Sequence, residues 1–280
     1  MPEQHKLYQF SPSVPAAAVA VIVFTILLCV HLFRLFKTKT WFCIPFVVGA
    51  IFEIIGYAGR AYGHYHPQLL GPYIMQYLLI LLAPILFAAS VYMVLGRIIR
   101  ATGFASYSLV RTTWLTKIFV GGDIVCFLIQ AMGGSMIAGT KDPSARDRGK
   151  LIILLGLVLQ VVIFGFFMLV GVVFHVRMRK REGGRSAFSD FNWERYLGML
   201  YVASVLITVR NVFRVVEYAM GENGPLLATE WPIYVFDALL MAAVLVICSF
   251  WYLGRMVSKD NGLEDHEMMV DGEIRGQSGH

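Results

Sequence analysis

Ionisable side chains recur at helical spacing inside apolar segments of this chain of 280 residues. In SVLITVRNVFRVVEYAM, residues 204–220, Arg210, Arg214 and Glu217 follow an i, i+4, i+7 pattern. At about 100° per residue, these three side chains fall within an arc of about 60° on one helix face. Guanidinium and carboxylate groups gathered on one face can pair with each other or bind a charged ligand.

A second segment, FEIIGYAGR at residues 52–60, repeats the same spacing with Glu53, Tyr57 and Arg60. Both segments are predicted to run in the same direction through a helical bundle. Glu53 is therefore expected near the depth of Arg210, and Arg60 near the depth of Glu217. Two helices with charge on a single face predict a shared polar site between them.

Further polar side chains lie in other apolar segments. Asp123 occurs in FVGGDIVCFLIQ and Asp237 in WPIYVFDALLM, and the amides of Gln76, Gln130 and Gln160 are embedded in similar surroundings. An ionisable group at the centre of a bilayer costs at least about 2.5–3.5 kcal/mol on insertion scales, so such groups face the bundle interior and find partners. Both arginines of residues 204–220 are thus expected to be held by carboxylates from other helices, with Glu53, Asp123 and Asp237 as candidates.

Two interpretations of these charges stay open. They could form an interhelical ion-pair network that specifies one helix arrangement and touches no ligand. Alternatively, they could line a cavity that also binds a headgroup, with Asp237 as the acceptor because it is nearest the predicted outer face. The spacing of the residues does not separate the two.

The elements that position these groups follow from composition. The chain is 58% hydrophobic and 15% charged, whereas a soluble domain carries about 25% charged residues. Apolar windows of about 20 residues predict an all-α polytopic membrane protein, a single bundle of seven transmembrane helices within residues 15–257. A short N-terminus (1–14) and a disordered acidic tail (258–280) are predicted to flank it. The spans are 15–35, 42–62, 73–96, 114–138, 151–175, 196–219 and 232–255.

Basic residues in the connections predict the orientation. Lys37, Lys39 and the stretch RMRKREGGR (177–185) lie on one side, whereas GHYHPQLLGP and GENGPLLATE on the other contain no lysine or arginine. The positive-inside rule therefore predicts the N-terminus outside and the C-terminus in the cytosol. A predicted loop at 139–150, with four basic residues, is an exception. The basic excess suits anionic lipid headgroups rather than nucleic acid.

Several chemistries find no matching pattern in the sequence. No phosphate-binding P-loop occurs, the histidines show no paired spacing for zinc, and the last span has no lysine before Lys259 to hold a retinal. We therefore expect a protein that is not an enzyme and has no metal or cofactor. The four cysteines fall inside the spans and are expected to be free thiols.

Three segments resemble signatures of the fungal lipid-translocating exporters, the resistance-to-aminocholesterol-like proteins: FEIIGYAGR, LLAPILFAASVYMVLGRII and RNVFRVVEYAMGENGPLLATEWPIYVFDALLM. The resemblance implies a seven-span fungal membrane protein, with relatives linked to export of sphingoid long-chain bases, resistance to amphiphilic toxins and porphyrin transport. The end of the last span, FWYLGRM, departs from the family pattern. The motif residues that carry over are Glu53, Gly56, Arg60, Pro84, Asp123, Gln130, Arg210, Arg214, Glu217, Glu230 and Asp237.

The resemblance and the charges inside the apolar segments predict transport or translocation of amphipathic lipid-like molecules at the plasma membrane, with vacuolar or endosomal membranes as alternatives. The alternative function is a seven-helix lipid sensor or receptor-like regulator without transport. The expected partners are an amphipathic small molecule and membrane lipids, and no nucleic acid. The predicted substrate-binding residues share a charged or amide side chain within an apolar segment: Glu53, Arg60, Asp123, Gln130, Arg210, Arg214, Glu217 and Asp237.

Overall fold

The computed structural model describes residues 13–102, 108–140, 142–182, 193–220 and 230–251. Within these residues the chain forms helices and no strand, and seven helices are long and apolar enough to cross a membrane. The predicted all-α, seven-helix architecture is therefore confirmed, whereas the predicted tail and almost all of the predicted N-terminal segment lie outside the described residues. The helices are α1 (Val14–Thr38), α2 (Ile44–Tyr65), α3 (Leu70–Ala101), α4 (Thr112–Gly139), α5 (Pro143–Glu182), α6 (Trp193–Met220) and α7 (Trp231–Trp251).

The helices pack in a closed ring. Each helix contacts the next one along the chain, α6 also contacts α3, and α7 returns to α1. α3 is well enclosed by its neighbours: 72% of its apolar 18-residue stretch is buried, whereas only 22% of the corresponding stretch of α1 is buried. α2 and α6 both pack on α3, and Glu53 of α2 lies close enough to Arg210 and Arg214 of α6 to feel their charges. The end of the bundle at which α1 begins, called the Ser13 end below, is the end predicted to lie outside.

The length of α5 corrects two predicted loops. The helix runs for 40 residues, from Pro143 to Glu182, beyond both ends of the predicted span 151–175. Residues 143–150 of the predicted 139–150 loop and residues 176–182 after the predicted span are therefore helical. Hydropathy marks the part of a helix that suits lipid and not the end of its backbone hydrogen bonding. Basic residues occupy both ends, including Arg146 and Lys150 at the start and Lys180 near the finish.

Asp142 begins α5 as a side-chain cap. Its carboxylate accepts hydrogen bonds from the Ser144 backbone N–H at 3.1 Å and from the Ser144 hydroxyl at 2.8 Å. These two bonds favour the charged carboxylate and lower the pKa of Asp142. A capped polar start explains why the helix begins well before the apolar run.

Candidate functional site

Two buried arginines of α6 share one carboxylate of α7. Arg210 Nε lies 2.6 Å from Asp237 Oδ1, and Arg214 Nη2 lies 2.5 Å from Asp237 Oδ2. Arg214 Nη1 also lies 2.9 Å from Glu217 Oε2, one turn along the same helix. Arg210 and Asp237 are completely buried. The prediction that a carboxylate from another helix holds both arginines is confirmed, and that carboxylate is Asp237.

The backbone around Asp237 departs from regular α-helix. Residues Tyr234–Leu239 of α7 form a π-helical segment, between the α-helical turn Trp231–Ile233 and the α-helix Leu240–Cys248. A π turn holds one extra residue, so it rotates the side chains that follow relative to an unbroken helix, and such turns occur frequently at functional sites. The segment places Asp237 where it faces both arginines of α6.

Arg210 has a second anchor on α3. Pro84 has no N–H, which removes the usual α-helical donor to the Ile80 carbonyl four residues earlier. Arg210 Nη2 donates to that carbonyl at 3.2 Å. Gly56 of α2 packs against the same residue, and a Cβ at position 56 would lie 2.6 Å from Ile80 Cγ1. The family-motif residues Gly56, Pro84 and Arg210 therefore meet around Ile80.

Glu53 lies beside these ion pairs but takes part in none of them. Its side chain is completely buried, and neither carboxyl oxygen has a hydrogen-bond partner among the described residues. The charges that act on it are those of Asp237, Arg210 and Arg214. The shared site of α2 and α6 is thus present, whereas Glu53 does not hold an arginine at hydrogen-bond distance.

Two further polar groups of this site also have no hydrogen-bond partner within the described part of the chain. They are the Tyr57 hydroxyl, one turn from Glu53 on α2, and the Arg214 Nε–H. Tyr57 is completely buried and feels the charges of Glu53, Asp237 and Arg214. A carboxyl group and two hydrogen-bond donors with unused hydrogen-bonding capacity are therefore buried in the same part of the bundle.

A polar layer covers this region at the Ser13 end. Arg60 Nη2 lies 3.1 Å from Glu230 Oε1, and the same carboxylate accepts the Tyr234 hydroxyl at 3.2 Å. Its two oxygens also accept the backbone N–H of Ser13 at 2.9 and 2.8 Å. Arg60 pairs with Glu230 because that residue directly precedes α7 at the same end of the bundle, whereas its expected depth near Glu217 stays a prediction.

An aromatic stack lies next to that layer. The Tyr57 ring is 5.9 Å from Phe24 of α1 and 5.8 Å from Tyr234 of α7, with interplanar angles of 9° and 29°. Sequence reasoning did not identify either neighbour, since an aromatic residue in an apolar span carries no mark of its partner. The stack separates Glu53 from the Arg60–Glu230 pair.

Asp123 lies on a different side of the bundle. Its Oδ2 accepts a hydrogen bond from the Tyr92 hydroxyl of α3 at 2.7 Å, and the Tyr92 ring contacts Phe167 of α5 at 4.5 Å. The expectation that Asp123 could hold an arginine is wrong for the described residues. The physical reason is that α4 packs mainly on α3 and α5.

Gln130 also belongs to the α4–α5 interface. Its Nε2 donates to Gln160 Oε1 at 3.0 Å, and both side chains are buried. A Cβ at Gly156 would lie 2.7 Å from Gln130 Cγ, so the glycine makes room for this pair. The structure therefore brings Glu53, Arg60, Arg210, Arg214, Glu217 and Asp237 to one region and leaves Asp123 and Gln130 apart from it.

The isolated position of Asp123 makes a stability prediction. Tyr92→Phe removes the hydroxyl that donates to the carboxyl group, and we expect a loss of about 1–3 kcal/mol because a buried acceptor is left unsatisfied. The measurement is thermal unfolding of the purified protein in detergent. Tyr201→Phe is the control, since that hydroxyl is only half-buried and makes longer bonds of 3.2 and 3.3 Å. Equal losses in the two variants would contradict the prediction.

One buried histidine was not singled out by the sequence. His31 of α1 is completely buried, and its Nε2 lies 2.9 Å from the Leu245 carbonyl of α7. Arg34, about one turn further along, donates to the Ser249 carbonyl. These contacts join α1 to α7 far from the arginine cluster. Among the described residues no group of three His, Cys, Asp or Glu side chains could hold a metal ion.

Comparison with known proteins connects this arrangement to a family. Residues 46–260 match the family model described as RTA1-like protein. The chain is 36% identical over 208 residues to protoporphyrin uptake protein 1 of Saccharomyces cerevisiae, covering 74% of this chain and 67% of the relative. It is 35% identical over 205 residues to protein RTA1 of the same yeast, covering 73% and 63%.

A more distant yeast relative aligns over a longer region. The sphingoid long-chain base transporter RSB1 of Saccharomyces cerevisiae, strain Lalvin EC1118, is 25% identical over 271 residues, covering 84% of this chain and 70% of the relative. The alignments thus span about two thirds of the relatives' own lengths. No solved structure matches the chain. The matched region contains the arginine cluster and its neighbours, and the chain is a member of the RTA1-like family.

Proposed function

We propose that this protein moves amphipathic molecules with a cationic headgroup across a membrane, and that sphingoid long-chain bases are the leading class. Membrane transport in general is supported by two relatives, whose names are protoporphyrin uptake protein and sphingoid long-chain base transporter. The observation that carries the finer proposal is Glu53, a buried carboxyl group without a hydrogen-bond partner among the described residues.

The unused polar groups around Glu53 match the chemistry of such a headgroup. A sphingoid base carries an ammonium group and hydroxyl groups at one end of a long alkyl chain. The ammonium group would donate to Glu53, while hydroxyl oxygens would accept from the Tyr57 hydroxyl and the Arg214 Nε–H. Because buried polar groups are nearly always satisfied in proteins, three unused groups in one region favour a polar occupant.

The contacts of Asp237 argue for Glu53 as the acceptor in place of Asp237. Both Asp237 oxygens are engaged, at 2.6 Å by Arg210 and at 2.5 Å by Arg214. A headgroup bound to Asp237 would displace an arginine and leave that charge buried without its partner, which is strongly unfavourable. We therefore assign Asp237 and the two arginines a positioning role and assign headgroup binding to Glu53.

An apolar groove lies on the lipid-facing side of α6. It has a volume of about 260 Å³ between α5 and α6 and is lined by Met168, Val205, Thr208, Val209 and Val212. The three valines are 43–48% exposed on the surface that would face lipid. At about 100° per residue these α6 residues lie on the face opposite Arg210 and Arg214, so the groove does not adjoin Glu53, and the proposal assigns only the headgroup to a site. In this proposal the plasma membrane remains the favoured location.

Reconstituted vesicles test the proposal. Purified protein is incorporated into vesicles, and movement of fluorescent long-chain base, phospholipid and sterol analogues between leaflets is followed. We expect the long-chain base to move fastest, and we expect Glu53→Gln to slow it at least tenfold. Asp123→Asn is the control, because it removes a buried carboxylate that contacts Tyr92 and not the site.

Each outcome of this experiment has a distinct meaning. Wild-type protein that moves none of the analogues, in vesicles where it is folded, contradicts transport, and specific binding without movement favours the sensor alternative. Equal rates for wild type and Glu53→Gln leave transport standing and contradict the site. If Asp123→Asn slows the long-chain base as much as Glu53→Gln does, the effect of Glu53→Gln is not specific to the proposed site.

A further inference from the structure

We infer that Glu53 carries a proton when the site is empty and that a bound cationic headgroup replaces this proton. Transport would then exchange one proton for one headgroup cation, and the proton gradient would supply the energy. This inference rests on the proposed function and adds its energy coupling. It is carried by the placement of the charged groups in and around the site.

The ion pairs balance without Glu53. Arg210 and Arg214 supply two positive charges, and Asp237 and Glu217 supply two negative charges, all joined at 2.5–2.9 Å. Glu53 is therefore an additional acid. If it were ionised, the site would hold a net negative charge in the membrane interior.

The outer layer does not neutralise that charge. Arg60 has its own carboxylate partner, Glu230, at 3.1 Å. The charged groups that face Glu53 are Arg210 and Arg214 from α6 and Asp237 from α7. Since these two positive charges are already matched, Glu53 has no unmatched cation to pair with among the described residues.

The other neighbours of Glu53 offer little stabilisation of a negative charge. Its own helix contributes the Tyr57 hydroxyl, which donates to no described group. At this level α1 and α3 contribute the apolar side chains of Phe24, stacked on Tyr57, and Ile80, packed on Gly56. Neither Glu53 oxygen has a donor at hydrogen-bond distance among the described residues. A buried carboxylate in that state is strongly unfavourable, whereas a protonated carboxyl group has no net charge to desolvate.

The exchange conserves both atoms and charge. The Glu53 carboxylic acid loses its proton to water on the side from which the cation arrives, and the carboxylate then pairs with the cation. On the other side the cation leaves, and a proton from that side re-forms the carboxylic acid. One positive charge occupies the site region throughout, so the cycle is an electroneutral antiport. Acid on the release side would accelerate transport.

A closed Ser13 end suits such an exchange. The Tyr57–Tyr234 stack and the Arg60–Glu230 pair lie between Glu53 and that end, and Glu230 is tied to the backbone of Ser13 as well. A carrier that exchanges two ions must separate its site from one side at a time. These contacts therefore mark the barrier that would open when the site faces the Ser13 end.

The test uses a cation that cannot itself carry a proton. The probe is an N,N,N-trimethyl long-chain base, because a primary amine that crosses in its neutral form would change the pH without any exchange. Addition of this probe to purified protein in weakly buffered detergent solution near neutrality should release about one proton per bound molecule. In vesicles, uptake should raise the internal pH and should not respond to an imposed potassium diffusion potential.

The Glu53→Gln variant provides the matched comparison, since an amide imitates the protonated carboxyl group. It should reach the membrane and unfold within a few degrees of wild type, and it should release no proton on exposure to the probe. Failure of this variant to fold, under conditions where Asp123→Asn folds, would mean that Glu53 is ionised at rest and would overturn the inference.

Results on the wild-type protein separate the two proposals. Binding or uptake of the probe without proton release overturns the exchange and leaves the proposed transport function intact. Uptake that follows the diffusion potential also overturns it, because an electroneutral exchange does not respond to voltage. If neither the probe nor the primary-amine long-chain base binds or moves, the two proposals are overturned together. If only the primary amine moves, the exchange is overturned, because charge alone does not suffice, and the proposed transport function stands.

Discussion

Asp237→Asn is expected to destabilise the folded protein by about 3–5 kcal/mol, which lowers the ratio of folded to unfolded molecules at least a hundredfold. The reason is that two buried arginines lose their shared counter-charge. Arg210 has no other carboxylate partner among the described residues, and Arg214 keeps only Glu217 at 2.9 Å. An asparagine accepts one hydrogen bond through its oxygen but carries no charge.

Membrane yield and thermal unfolding in detergent measure this effect. Glu53→Gln is the matched control, because it makes the same carboxylate-to-amide change in the same cluster and removes no ion pair. We expect the control to stay near wild type. If the two variants are equally stable, the two Asp237 ion pairs contribute no more than the unpaired acid, and the assigned positioning role of Asp237 is wrong.

The convergence of charges could be predicted from spacing alone. Glu53 on α2 and the arginines Arg210 and Arg214 on α6 were expected to share a region, and the structure brings them together. This prediction succeeds because exposing an ionised side chain to lipid costs several kcal/mol, so the charged face of each helix must turn inward. The orientation of a helix about its own axis can therefore be predicted from the spacing of its polar residues.

The identity of each ion pair could not be predicted in the same way. Asp123 and Asp237 look equivalent in sequence, since each is one acid in an apolar span. The two carboxylates have different partners because α4 packs on α3 and α5, whereas α7 packs on α6. Neighbour relations of this kind depend on the whole bundle, and a local pattern does not contain them.

Two local features also lay beyond sequence reasoning. The π-helical segment around Asp237 changes the direction of that side chain, although nothing in the residues Tyr234–Leu239 marks it. The hydroxyl of Tyr92 pairs with an acid, yet the residue contributes to an apolar pattern. By contrast, the missing N–H of Pro84 can be read from the sequence, and the structure identifies Arg210 as the group that uses the freed carbonyl.

The contact between α4 and α5 depends on glycines at which the backbones approach closely. A Cβ at Gly133 would lie 2.6 Å from the Gly149 carbonyl oxygen and 3.0 Å from the Ile153 backbone nitrogen. Both are backbone atoms of α5, so no side-chain rotation can relieve the clash. The site depends on this contact indirectly, because α4 and α5 enclose the Asp123–Tyr92 pair and support α3.

Gly133→Leu is therefore expected to destabilise the protein by an amount at or above the usual range for overpacking of about 1–3 kcal/mol. The two helices would have to move apart, which would also separate Gln130 from Gln160, now 3.0 Å apart.

Gly121→Leu on the same helix is the control, since nothing lies within 4 Å of a Cβ at that position. We expect the control to be neutral or slightly stabilising, because leucine favours helix over glycine by several tenths of a kcal/mol, up to about 1 kcal/mol. Thermal unfolding of both variants decides the matter. If both variants melt together with wild type, α4 and α5 are not held by backbone contact at Gly133.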